Sequence, residues 1–243
     1  MVGPMERAKI RLFVEHELGQ GNSVPMTQPQ ANYLFNVMRL GVGDHVALFN
    51  GREGEWTCRV VDAAKRRGMV VCERQALPLQ MPPDLWLLFA PIKKARTDFI
   101  VEKAAEMGAA RILPISTDYT NSDRVRQDKL QAHAIEAAEQ CGGTYVPEVA
   151  EVAKLSKLLD DWPTERQLMF CDEALTGTPT DLSKLPQGPW AIIIGPEGGF
   201  SEGERARLRD MAHPISLGPR ILRADTAAVA ALALWQHALG DWA

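Results

Sequence analysis

The chain has 243 residues, 46% hydrophobic and 24% charged, with a formal net charge of −4; this is the composition of a globular protein with room for one large or two modest domains. No run approaches the roughly 20 apolar residues of a membrane span, and the start of the chain carries no apolar signal core, so a cytoplasmic location is expected. Cys58, Cys72, Cys141 and Cys171 lie far apart with no C-x-x-C pair, and the five histidines show no metal spacing, so neither a disulfide framework nor a metal is expected.

In chain order, residues 10–14 read as a strand and residues 29–40 as a short helix entered through Thr27. Gly41-Val42-Gly43-Asp44 turns into a strand at 46–49, and Asn50-Gly51 follows, the dipeptide most typical of a tight hairpin. Strands at 56–61 and 69–72 complete a small barrel, with Lys65-Arg66-Arg67-Gly68 at a hairpin tip that is either a solvated turn or a phosphate contact. Pro78, Pro82 and Pro83 then mark a boundary, predicting one domain over 1–80 and another over 81–243. The first carries ten Lys/Arg against eight Asp/Glu and the second seventeen against twenty-three. A mildly basic front on an acidic body suits RNA docking, and equally suits two unrelated solvated surfaces.

Beyond the boundary the pattern alternates. Strands are predicted at 85–90, 110–115, 168–171, 191–194 and 215–217, and helices at 96–107, 129–140, 201–211 and 226–239. Ser201 and Glu204 form a capping box, S-x-x-E, at the third helix. Such alternation implies an α/β domain whose mainly parallel sheet is covered on both faces.

Two glycine-containing turns end this domain. One is Ile194-Gly195-Pro196-Glu197-Gly198-Gly199-Phe200-Ser201, and the other runs from Leu217-Gly218-Pro219-Arg220-Ile221-Leu222 into Arg223-Ala224-Asp225-Thr226. Each follows an apolar strand, and glycine at a strand end lets backbone approach a ligand unobstructed. Neither turn is a dinucleotide fingerprint or a phosphate loop, which disfavours a nicotinamide-dependent dehydrogenase.

These two turns resemble those of the SPOUT superfamily, and within it the bacterial ribosomal RNA small subunit methyltransferase E family. The resemblance extends to Arg11-Leu12-Phe13, to Leu34 through Arg39 followed by Gly43-Asp44, to Lys103-Ala-Ala-Glu-Met-Gly108 and to Ala138-Glu139-Gln140-Cys141. It departs where the family usually has Arg-Thr-Glu-Thr and this chain has Arg223-Ala224-Asp225-Thr226. It departs again at Gly142-Gly143, and at Thr117-Asp118-Tyr119-Thr120, where many members have Thr-Glu-Arg-Ser.

The resemblance implies a PUA-like β-barrel followed by a parallel-sheet domain with a C-terminal trefoil knot, an exception to the rule against threaded chains, and a homodimer. It implies an enzyme that uses S-adenosylmethionine to methylate N3 of a uridine in small-subunit (16S) rRNA, on naked RNA or on the assembled subunit. The cofactor would be held by the segment after Phe170 and by Ile194, Gly195, Pro196, Glu197, Gly198, Gly199, Leu217, Gly218, Ile221 and Leu222. Uracil N3 is a poor nucleophile until its proton leaves, and it faces the partner base in a helix, so the nucleotide must be unpaired. Arg223, Asp225 and Thr226 are the catalytic candidates, with Asp225 alternatively a helix N-cap. Arg11 and Arg39 are the candidate RNA contacts. A SPOUT enzyme acting on tRNA or another rRNA position, and a non-catalytic assembly factor, are the competing readings.

Overall fold

A computed structural model describes residues 8–64, 66–121, 125–172 and 181–242. Contacts gather the chain into two compact units, Met1–Met81 with Ala138–Val146, and Pro82–Ala137 with Pro147–Ala243. Among the described residues no helix is long and apolar enough to cross a membrane.

The first unit is built on a five-stranded sheet of β1 (Arg11–Phe13), β2 (Ser23–Met26), β3 (His45–Phe49), β4 (Glu55–Ala64) and β5 (Arg67–Leu77), in the order β1-β3-β4-β5-β2. Strand β2 was not anticipated; it carries Pro25, which is tolerated because the strand lies at the sheet edge. Thr27 caps the expected helix in a reciprocal box with Gln30. That helix runs as α1 (Gln28–Ala31) and then widens into a π-helical turn (Asn32–Val37). It stops short of Leu40 because Arg39 turns left-handed, with φ of 59°.

Asn50-Gly51 does not make a two-residue hairpin. Asn50 is buried; its side-chain oxygen accepts from the backbone of Arg52 and Glu53, and its amide donates to the His16 carbonyl. The side chain thus organises a longer loop between β3 and β4. Residue 65, in the predicted basic tip, lies outside the described residues.

The second unit contains β6 (Leu85–Phe89), α2 (Lys94–Glu106), β7 (Arg111–Ser116), most of α3 (Gln127–Cys141), β8 (Glu148–Val149), β9 (Ala153–Lys154) and α4 (Leu155–Asp160). After these come β10 (Gln167–Cys171), a 3₁₀ turn (Leu182–Lys184), β11 (Trp190–Ile194), α5 (Glu202–Met211), β12 (His213–Ile215) and α6 (Ala224–Leu239). The strands form one parallel sheet in the order β12-β10-β11-β6-β7-β8, with β9 also joining β7. The continuous apolar runs of β6 and β11 follow from burial on both faces.

Alternate residues serve opposite cores. Leu87, Phe89, Ile192 and Ile194 pack with Ile100 of α2 and Leu232 and Trp235 of α6, while Leu88 and Ile193 pack with Leu155 of α4 and Leu208 of α5. Helix α2 therefore leaves β6 over one face and α5 leaves β11 over the other. Diverging connections of this kind open a crevice at the carboxyl ends of the strands. The predicted last strand at 215–217 lies two residues earlier, which leaves Leu217 and Gly218 free for that crevice. The path that would define the expected knot includes 173–180, outside the described residues.

Candidate active site

Strands β10, β11 and β12 are parallel neighbours and end on one edge. Asp172 after β10, the turns after β11 and β12, and Lys93 and Arg96 at the start of α2 line a cavity of about 420 Å³, within the size range of small-molecule sites. Phe170, Ile194 and Ile215 give it apolar walls, and Phe200 stands edge-on to Phe170 with centroids 5.5 Å apart. Gly195 allows this packing, since a Cβ there would lie 2.7 Å from the Phe200 ring. Gly218, with φ of +108°, carries the second turn through a conformation that side chains resist.

Charged groups line the rim. Asp172 is buried just after β10 and accepts from Arg205 at 2.6 Å and from Arg209 at 2.7 and 2.9 Å, both on α5. Arg96 lies between two carboxylates, 3.4 Å from Glu197 and 3.7 Å from Asp225. Arg223 occupies the N-cap position of α6 through its backbone, without a side-chain cap bond. Its exposed guanidinium has no carboxylate partner among the described residues. Asp225 is thus not the cap; it sits in the first helical turn, where the dipole favours a carboxylate.

Of the cofactor residues expected from sequence, Ile194, Gly195, Pro196, Glu197, Gly199, Leu217, Gly218, Ile221 and Leu222 line this cavity. Gly198 faces a neighbouring one beside Tyr119. Arg223 lines the cavity, whereas Asp225 reaches its rim through Arg96, and Thr226 is exposed outside it. Arg96 and Arg205 were missed, because no motif marks them. Asp172 falls in the segment after Phe170 that the resemblance assigns to the cofactor, although that segment was not resolved to this residue.

The two front-domain arginines differ. Arg39 is exposed. Arg11 is spent internally: it pairs with buried Glu55 at 2.6 Å, donates to the carbonyls of Ala138, Glu139 and Gly143, and lies 4.5 Å from the Phe49 ring centre. A guanidinium so engaged holds 138–146 in the first unit and is not presented to RNA.

Burial pushes the Cys171 thiol, beside the cavity, up to about 12. It therefore stays protonated and weakly nucleophilic at working pH. Cys58 and Cys72 face each other across β4 and β5 as free thiols, sulfurs 3.3 Å apart and buried, while Cys141 is exposed. Iodoacetamide at mildly alkaline pH is expected to label Cys141 first, the partly exposed Cys171 more slowly, and Cys58 and Cys72 only on unfolding, as peptide mapping by mass spectrometry would read.

Residues 80–236 match the RNA methyltransferase domain and residues 27–69 the RNA methyltransferase PUA domain, which makes the protein a methyltransferase of the RNA-modifying class. A methyltransferase from Legionella pneumophila, solved with bound S-adenosylmethionine, superimposes with a TM-score of 0.87 at 29% identity, covering 97% of this chain and 100% of that one. The ribosomal RNA small subunit methyltransferase E of Neisseria gonorrhoeae, also bound to S-adenosylmethionine, gives 0.84 at 27% identity over 96% and 99%. Its namesake from Synechocystis is 30% identical over 92% of this chain and 76% of its own length. The chain belongs to the ribosomal RNA small subunit methyltransferase E family.

Proposed function

We propose that this chain transfers a methyl group from S-adenosylmethionine to N3 of a uridine in small-subunit (16S) ribosomal RNA. The observation that carries this reading is the cavity lined by the two glycine turns, with the exposed Arg223, which has no carboxylate partner among the described residues, at its rim. The residues fit the cofactor. Bare backbone at Gly195 and Gly218, apolar walls from Ile194, Leu217 and Leu222, and a volume of about 420 Å³ suit a nucleoside with a polar tail. The cofactor supplies an electrophilic methyl group.

The protein must orient the uracil and manage its N3 proton. Asp225, placed by Arg96, accepts that proton, and Arg223 stabilises the negative charge that spreads onto the uracil carbonyl oxygens. Asp225→Asn is expected to lower kcat by about 10²-fold or more with cofactor affinity retained, checked by methyl transfer and calorimetry on one preparation. The reading also places the protein in the cytoplasm, where ribosomes are assembled, and, by the family resemblance, makes it a homodimer.

The direct test incubates the protein and S-adenosylmethionine with unmethylated small subunits, and separately with naked rRNA, followed by nucleoside mass spectrometry. N3-methyluridine is the expected product. Its absence, with cofactor binding demonstrated, would move the substrate to another RNA.

A further inference from the structure

A second cavity of about 560 Å³ lies beside the first, bounded by the loop after β6, the first turn of α2, the start of α3 and Tyr119. The two share Lys93, Pro196 and Glu197, so the 195–199 turn is a partition between them. The second cavity is cationic: Lys93, Lys94, Arg126 and Lys129 line it against Asp98 and Glu197. Lys94 is tied to Asp98 at 2.7 Å and Arg126 to Asp128 at 2.6 Å. Among the described residues Lys93 and Lys129 make no ion pair within 4 Å, although Asp128, already paired with Arg126, also feels the Lys129 charge. Lys93 and Lys94 also stand at the N-terminus of the 13-residue α2, whose first turn holds no acid. A helix N-terminus disfavours cations and attracts anions, so lysines placed there suit an external anion.

The remaining feature is aromatic. Tyr119 is 49% exposed and lines this cavity, with its Cβ 3.5 Å from the position a Cβ would take at Gly198. An exposed aromatic ring beside exposed lysines is the combination that holds single-stranded nucleic acid, by base stacking and phosphate contact together.

We propose that this cavity seats the nucleotide next to the methylated uridine, with Tyr119 stacking on its base and Lys93 and Lys129 on the flanking phosphates. The inference rests on the proposed methyl transfer to RNA and adds the course of the strand. The target base must present N3 on the cofactor side of the partition, so its neighbour along the chain fills the other side, passing over Gly198.

The test measures binding of a fluorescein-labelled single-stranded oligouridylate to the full chain by anisotropy. Tyr119→Ala is expected to weaken binding about tenfold, and Tyr119→Phe to bind as the wild type does. Lys129→Ala is expected to flatten the dependence of log affinity on log salt by about 0.7. Calorimetry should give Tyr119→Ala the wild-type affinity for S-adenosylmethionine, which separates a lost RNA contact from a disturbed partition. Equal oligouridylate affinity in Tyr119→Ala and wild type, or no oligouridylate binding by the wild type, overturns the proposal. Methylation of small subunits is scored separately. Tyr119-dependent binding without N3-methyluridine would support the RNA seat while removing the uridine-N3 reading.

Discussion

Arg223→Ala is expected to lower the single-turnover rate of methyl transfer by about 10²–10³-fold, or roughly 3–4 kcal/mol of transition-state stabilisation. The size follows from what the side chain does and does not do in the fold. Arg223 begins α6 through its carbonyl, which accepts from Ala227 at 2.7 Å, while its guanidinium caps nothing and lines the cavity. Truncating it leaves that backbone bond in place, so stability should stay within about 0.5 kcal/mol, as for an ordinary surface change. Arg223→Lys keeps the charge and loses the planar fork, and should recover part of the rate. Stopped reactions, calorimetry with S-adenosylmethionine and a thermal melt on the same samples separate rate, binding and folding. Normal turnover by Arg223→Ala would remove this residue from the mechanism.

Gly195→Val should act on the opposite quantity, cofactor affinity. A Cβ at 195 meets the Phe200 ring at 2.7 and 3.0 Å, and Phe200 is itself buried and held edge-on against Phe170. The ring must leave its place, and both aromatic rings line the cavity. Overpacking of this kind costs about 1–3 kcal/mol, which in binding corresponds to roughly a 5- to 150-fold rise in Kd. Gly195→Ala should show the smaller effect of the series. The melting temperature should fall by about 2–4 °C for each kcal/mol of strain that falls on folding rather than binding. Wild-type affinity in Gly195→Val would mean that the turn tolerates a side chain and that the cavity is not the cofactor site.

Much of the fold was legible because its signals are local. The runs at 85–90 and 191–194 are apolar at every position, which a strand buried on both faces requires. Thr27 and the box at Ser201 mark helix starts, because each hydroxyl accepts from the backbone three residues on while the side chain there accepts from the cap's own N–H. Strands β8 and β9 pair over two residues each, too few for any periodicity to register. Asn50-Gly51 misled because the two-residue hairpin needs positive φ at both positions, whereas here Gly51 alone has it and the buried Asn50 side chain holds a longer loop.

The site was legible in its backbone and not in its charges. Glycines at the ends of two strands identify themselves by turn chemistry, and nine of the ten expected residues line the cavity. Arg96, 101 residues from its partner Glu197, and Asp172, 33 and 37 residues from Arg205 and Arg209, carry no such mark. Arg11 looked like an exposed arginine until its four described hydrogen bonds placed it inside.

The alternation of strands and helices, the caps and the two turns are readable from the residues alone, because each depends on residues within a few positions of one another. Which strand ends meet is settled by long-range packing. Placing β10 between β11 and β12 brings three separate strand ends to one edge, and sending α2 and α5 over opposite faces opens the crevice between them. That arrangement is set by the burial of whole helix and sheet faces, a long-range condition that no local pattern encodes.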